Sequence, residues 1–456
     1  MKQSGDRAKQ SAHRVIGSSG EVNAFGSVKD FGVHITRFPL TRSSIARFPW
    51  QVVHACELAR EVLPLVEGQL AIGMRPHLLT PRGFGSAQTF LREHNREPAR
   101  PISLLQAWNH VREWRKLLTE SSVESLADVV HAHSFSAGMA AVRASPGVVY
   151  QVHQTVEEIA IKNGTCGANS WLARSFRVAE QFVLVHAAAV VVSDNETRDD
   201  CITRGVNPEQ VFRIPYPLDS ELFESTPDRE WLSQVAQPNP EAIVFAIPSF
   251  SVGEMWQARD AIQRWMRVVS IVRQSCPEVK FLFLSGPPLS EEIQQLASAC
   301  RLTPFVKVLI AEGQGRALES ADVVICDGEH GHMANAPTLN NLGSSILPAA
   351  EALARGRALL AADVGPHREV TSDGRGCLWF RAGNIEDVAH RAIFLARHPR
   401  FRQALAASGH EHCLATRSSE AVAAAYDSVY RLAFARRKSG DGSTPKPQLI
   451  PLPMAS

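Results

Sequence analysis

No pair of cysteines in this chain has the C-x-x-C spacing of a redox or zinc site. The 8 cysteines (Cys56, Cys166, Cys201, Cys276, Cys300, Cys326, Cys377 and Cys413) are scattered along 456 residues, which predicts buried thiols in a reducing compartment rather than a disulfide framework. No apolar run is long enough to cross a bilayer. The amino-terminal stretch is polar and has no hydrophobic core of the signal-peptide type. A cytoplasmic protein is the expectation, with peripheral contact at a membrane surface as its extension. Strong charge is also missing. A formal net charge of +2 gives no general surface for nucleic acid. What remains is ordinary globular material, 45% hydrophobic and 21% charged, enough for two domains and tails.

Apolar runs alternate with helical patterns along most of the chain. FGVHITRF (31–38) reads as a first strand, 50–63 as a helix interrupted by Pro64, and PHLLTP (76–81) as a second strand. A helical stretch over 100–125 comes next. ADVVHAHS (127–134), GVVYQVHQT (147–155), AAAVVVSDNE (187–196) and QVFRIPYPLD (210–219) then read as strands. A second set starts at AIVFAIPS (242–249) and includes VKFLFLSGPP, VKVLIAEG, ADVVICDG and RALLAAD. Such alternation predicts parallel, doubly wound sheets, which bind ligands beyond the carboxyl ends of their strands. His133, His153 and Ser193 lie at such ends. The expected organisation is a disordered tail over 1–28, a first domain over 29–220 and a linker over 221–240. A second domain over 241–405, further helices over 406–437 and a disordered tail over 438–456 complete it.

The stretch GSSILPAAEALARG (343–356) is the most informative. Ser344 or Ser345 can cap a helix, Pro348 suits its first turn, and Gly356 suits a left-handed residue at its end. Free N–H groups at such a start suit a phosphate or diphosphate. Glu351 lies six residues beyond Ser345, so ~9 Å further along at ~1.5 Å per residue, a reach that suits a ribose. An ordinary capped core helix with an exposed Glu351 is the other reading.

The longer segment SILPAAEALARGRALLAADVGPHREVTSDGRGCLWFRAGN (345–384) resembles the nucleotide-sugar half of the retaining GT-B glycosyltransferases of family 4. Their pattern is roughly E-G-F-G-x-x-x-x-E-A-x-A-x-G-x-P, a strand, G-G-x-x-E and a D-G-x-x-G turn. Glu351 matches the second Glu of the E-x7-E motif, Glu369 the Glu after the next strand, and Asp373, Gly374 and Gly376 the turn. Gly343 stands where the first Glu would be. In the first half, Gly205, Val206, Pro215, Pro217, Asp219 and Phe223 match the family in order.

The resemblance implies two Rossmann-like domains, each a doubly wound parallel sheet, facing across a cleft, with the C-terminal helices over 406–437 crossing back to the first domain. It implies a nucleotide-diphosphate sugar as co-substrate, no metal or other cofactor, and a glycan, lipid-linked or small-molecule acceptor. Gly343, Ser344, Ser345, Glu351 and Glu369 would bind the donor, and His153 matches the family's cleft histidine, its catalytic candidate. The family's Arg and Lys that face the departing diphosphate are absent: Pro248 or Ser249 stands near one place, Gly253 or Glu254 near the other. Arg259 and Arg264 on the next helix are candidate substitutes. Arg42 and Arg47, in a loop where the family carries Gly-Gly, are candidates for the diphosphate or an acidic acceptor, or else form a solvated face.

Two histidine groupings offer metal chemistry on paper. His131 and His133 share a strand face, without an evident third ligand. Asp327, Glu329, His330 and His332 form a polar cluster that also suits an acceptor loop. The altered motifs keep two other readings open beside a transferase: a GT-B partner or scaffold without turnover, and a nucleotide-sugar epimerase.

Overall fold

The computed structural model describes residues 50–56, 62–80, 83–86, 104–120, 127–145, 147–162, 164–236, 242–248, 255–286, 289–310, 314–327, 346–372 and 374–439. The expected strand at 31–38, Arg42, Arg47 and the tails outside 50–439 lie beyond them. The first sheet holds β1 (Gln51–Ala55), β2 (Arg75–Thr80), β3 (Gly83–Ser86), β4 (Val129–Ala132), β5 (Val148–Val152), β6 (Ala189–Val192) and β7 (Val211–Arg213). Its order is β3-β2-β1-β4-β5-β6-β7, parallel except for β3, which runs antiparallel to β2. The second sheet holds β8 (Ile243–Ile247), β9 (Val279–Leu284), β10 (Val306–Leu309), β11 (Val323–Cys326), β12 (Ala358–Ala362) and β13 (Cys377–Phe380). Its order is β10-β9-β8-β11-β12-β13, all parallel. Strand order reverses at β1/β4 and at β8/β11, the switch points beside which such sheets bind ligands.

Three expectations need correction. Residues 51–55 form β1, a central strand, and not the start of a helix. Val52 and Val53 are both fully buried because helices cover both faces of a central parallel strand, and a short run buried all round carries no period of its own. Pro64 does not interrupt a helix but opens one, Leu63–Ala71, where its missing N–H costs nothing. The expected linker, 221–240, carries the helices Ser220–Phe223 and Arg229–Ala236, and Leu232 is buried in the core of the second sheet.

Side-chain caps start several of the helices that flank the sheets. Ser134, Ser170, Asp194 and Asn384 each accept a hydrogen bond from a free first-turn N–H, those of Ala137, Ala173, Thr197 and Asp387. Gly356 (φ 62°), Gly374 (φ 81°) and Gly376 (φ 75°) take the left-handed backbone that their places in the motif suggest.

The chain leaves the first sheet at Leu218 and returns at Ser418, and the two crossings lie side by side: Leu218 N donates to Arg417 O at 2.8 Å. The last helix, Ser419–Ser439, then packs Val422, Ala423, Tyr426, Val429, Tyr430 and Ala433 against Val52, Val129 and Val149 of the first sheet. The expected return helix is therefore present and runs to Ser439. All 8 cysteines are free thiols, and Cys300 is exposed rather than buried. Among the described residues no helix is long and apolar enough to cross a membrane.

Candidate active site

The sequence Val-Val-His-Ala occurs twice, at 52–55 in β1 and 129–132 in β4. The two copies pair in register, so His54 lies directly beside His131. His133, two residues on from His131, shares its face, and Val53, Ala55, Val130 and Ala132 face the opposite core. The histidine face is covered by the helix Leu63–Ala71, through Gln69, and by the last helix, through Tyr426 and Tyr430.

A chain of hydrogen bonds runs through this layer. Tyr216 OH meets His153 Nδ1 at 2.9 Å, and His153 Nε2 meets His133 Nδ1 at 3.4 Å. His133 Nε2 meets His54 Nδ1 at 2.9 Å, and His54 Nε2 meets Gln69 Oε1 at 2.9 Å. Gln69 Nε2 donates to Tyr430 OH at 2.8 Å, and Tyr430 OH meets His131 Nδ1 at 3.1 Å. Since Gln69 Oε1 only accepts, His54 carries its proton on Nε2. His133 must then donate from Nε2, and His153 likewise, so Tyr216 donates into His153 Nδ1. Every ring in the chain is a neutral imidazole. Burial holds His54 and His153 near a pKa of about 4. Burial, then repulsion from neighbouring histidines, holds His131 and His133 well below the usual histidine range.

His153 is placed by β5, one residue past its carboxyl end, and is half-buried. Its ring stacks on Tyr216 with centroids 5.5 Å apart and planes at 11°. Ser193, at the end of β6, donates to Asp194 at 2.9 Å, and Asp194 caps the next helix. These two places agree with the strand ends expected from the sequence. His54 escapes the sequence reading because 50–63 has a helical pattern; the repeated VVHA is the signal that could have found it.

In the second sheet, Glu351 sits on the helix Ile346–Ala354 and pairs with Arg355 at 2.9 Å, one turn on. Gly343, Ser344 and Ser345 lie outside the described residues, as do Asp373, Ser249, Gly253, Glu254, Glu329, His330 and His332. Glu369, on the helix Gly365–Thr371, faces the first domain. Its carboxylate accepts from Asn195 N at 3.2 and 3.3 Å and stands 3.8 Å from Arg213. Burial raises its pKa, opposed by the Asn195 N–H. Arg259 is paired with Glu292 at 2.9 Å. Arg264 lines an open pocket with Trp265, Asp327, Phe380 and Asn384, at the carboxyl ends of β11 and β13. The one metal-capable grouping among the described residues is His54, His131 and His133, with one ring nitrogen of each within 4.8 Å of the others.

Residues 57–217 match the family model described as "Glycosyl transferase 4-like domain". No curated protein matches the chain in sequence. Among solved structures, a glycosyltransferase from Rickettsia africae ESF-5 superposes with a TM-score of 0.59 at 11% identity, covering 84% of this chain and 98% of that one. Anabaena Alr3699/HepE, in complex with UDP and glucose, gives 0.52 at 14% identity over 82% and 97%. A putative UDP-N-acetylglucosamine 2-epimerase from Listeria monocytogenes gives 0.52 at 12% identity over 83% and 94%. At these identities the likeness shows the fold alone, the GT-B pair of facing sheets. The chain thus has the GT-B fold and, over residues 57–217, a match to a glycosyl transferase 4-like domain.

Proposed function

We propose that the chain moves a sugar from a nucleotide-diphosphate donor to a glycan, lipid-linked or small-molecule acceptor, with retention of anomeric configuration. The observation that carries this reading is His153, a neutral imidazole at the carboxyl end of β5 inside the segment that matches the transferase domain. A neutral ring offers one donor and one acceptor, which suits a sugar hydroxyl better than a phosphate. Its 3.4 Å contact with His133 is long enough for a hydroxyl to compete for Nε2. The HepE complexes, which hold UDP, UDP with glucose, or UDP-glucose, support the donor class by analogy.

In this reading Gly343, Ser344 and Ser345 receive the diphosphate, and Glu351 accepts from the ribose hydroxyls. The diphosphate gains charge as the glycosidic bond breaks, so groups facing it act most strongly in the transition state. With no Arg–Lys pair in the family's positions and Arg259 committed to Glu292, turnover is expected to be slow.

Thermal shift with UDP-, GDP- and ADP-sugars tests the reading. A donor at about 100 times its dissociation constant adds about 2.7 kcal/mol of stability. Glu351→Gln should weaken that donor about 5- to 150-fold, the loss of about 1–3 kcal/mol of charged hydrogen bonding. A variant that loses only the contribution of the Arg355 pair, under about 1 kcal/mol of stability, and binds donor like wild type would remove Glu351 from the site.

A further inference from the structure

The histidine layer under the cleft has one group that the hydrogen-bond chain leaves unexplained. His131 Nε2 is buried and makes no well-formed hydrogen bond. Gln151 is its one weak side-chain partner, and the Gln151 Oε1 also accepts from Tyr426 OH at 2.6 Å. A buried ring nitrogen so weakly met is open to a further ligand.

We infer that His54, His131 and His133 form a binding site for a divalent ion of the zinc type, held in the first domain behind His153. His54 Nδ1 and His133 Nε2 already converge at 2.9 Å, and a nitrogen of His131 completes a set within 4.8 Å. Nitrogens around a tetrahedral zinc, at about 2.0–2.1 Å from the ion, stand about 3.4 Å apart, so the close pair has to open by only about half an ångström. Imidazole is a suitable ligand for zinc, copper, iron and nickel.

The surrounding groups fit as well. A ligating histidine usually directs its other ring nitrogen to a fixed acceptor. Here His54 Nε2 faces Gln69 Oε1, His131 Nδ1 faces Tyr430 OH, and His133 Nδ1 faces His153 Nε2. Metal uptake needs His133 to move its proton from Nε2 to Nδ1. The shift passes to His153, which then carries its proton on Nδ1, toward Tyr216. The ion would thus set the tautomer that the cleft histidine presents, and join β1, β4 and, through Tyr430, the returning helix. This inference does not depend on the transferase reading.

The test is direct titration of the full chain, stripped by chelator and exchanged into metal-free buffer, with Co²⁺ and then Zn²⁺. One equivalent of Co²⁺ should develop visible absorption bands that zinc abolishes, and X-ray absorption of the zinc form should give three nitrogen neighbours at about 2.0–2.1 Å. Gln69→Ala, which removes no ligand but takes away the acceptor that orients His54, should weaken the ion about 10- to 100-fold, and His131→Gln should weaken it further. Circular dichroism checks that both variants fold. The inference is overturned if folded wild-type chain retains no stoichiometric ion. It is equally overturned if His54→Gln and His131→Gln, both folded, bind Co²⁺ as wild type does. If those variants do not fold, a wild-type X-ray absorption spectrum without the three-nitrogen shell has the same force.

Discussion

At the scale of single residues, Glu369 shows how an expected donor ligand can have a different employment. Both its oxygens are within hydrogen-bond distance of Asn195 N, the first residue of a helix in the other domain, and Arg213 stands 3.8 Å away. A carboxylate there meets both the free N–H and the positive end of that helix. Glu369→Gln keeps an acceptor for Asn195 and removes a charge that burial already disfavours, so stability should change by less than about 1 kcal/mol while nucleotide protection is unchanged. Denaturant midpoints with and without UDP read both quantities. Lost nucleotide protection at unaltered stability would return Glu369 to the donor site. The motif match placed Glu369 correctly after a strand and could not show its partners, because Asn195 lies 174 positions away in the chain.

At the scale of elements, the chain's return to its first domain depends on a close approach of two helices. A Cβ on Gly68 would come within 1.9 Å of Ser419 O, at the start of the last helix. Gly68→Ala therefore forces Ser419–Ser439 away from Leu63–Ala71. The expected cost is about 1–3 kcal/mol or more, seen as a lowered thermal midpoint. An unchanged midpoint would show that the two helices are not held this closely. Most elements were legible in the sequence. The strands 129–132, 148–152 and 189–192 are short, β-branched and bounded by polar residues, and Gly356 marks a helix end where one occurs. β1 was not legible, because QVVHA runs into apolar residues that continue a helical spacing and a fully buried strand has no alternation to betray it. That one misassignment also hid His54, and with it the third member of the histidine cluster. The polar stretch 221–240 hid two helices for the opposite reason, since short amphipathic helices with exposed faces resemble a linker in composition.

At the scale of the whole molecule, the buried histidines tie stability to pH. His54 and His153 titrate at about 4 in the folded chain against 6.5 in the unfolded one, and His131 and His133 are displaced the same way. Between those values the unfolded chain holds more protons, so stability rises with pH and is lost as pH falls from 6.5 toward 4. Buried Glu180 opposes this. Its pKa is raised from 4.5 to about 7 by burial despite Arg204, so its contribution is full below 4.5 and fades as pH rises through 7. Four histidines outweigh the raised carboxyls of Glu180, Glu369 and Glu67, and the unfolding free energy from urea curves should climb between pH 4.5 and 6.5, by about a few kcal/mol in total. His54→Gln should flatten that climb; a wild-type profile already flat would contradict the buried, neutral cluster. Function at this scale rests on one claim, that a GT-B chain with altered donor motifs still cleaves a nucleotide sugar. The measurement that tests it most directly is the release of nucleoside diphosphate from UDP-, GDP- and ADP-sugars by wild type and by His153→Ala, each with and without a mixed acceptor panel. The account predicts slow release from one donor class by wild type, faster with an acceptor, and reduced at least ~10-fold in the variant. No release from any donor by folded wild type, or release untouched by His153→Ala, would contradict it.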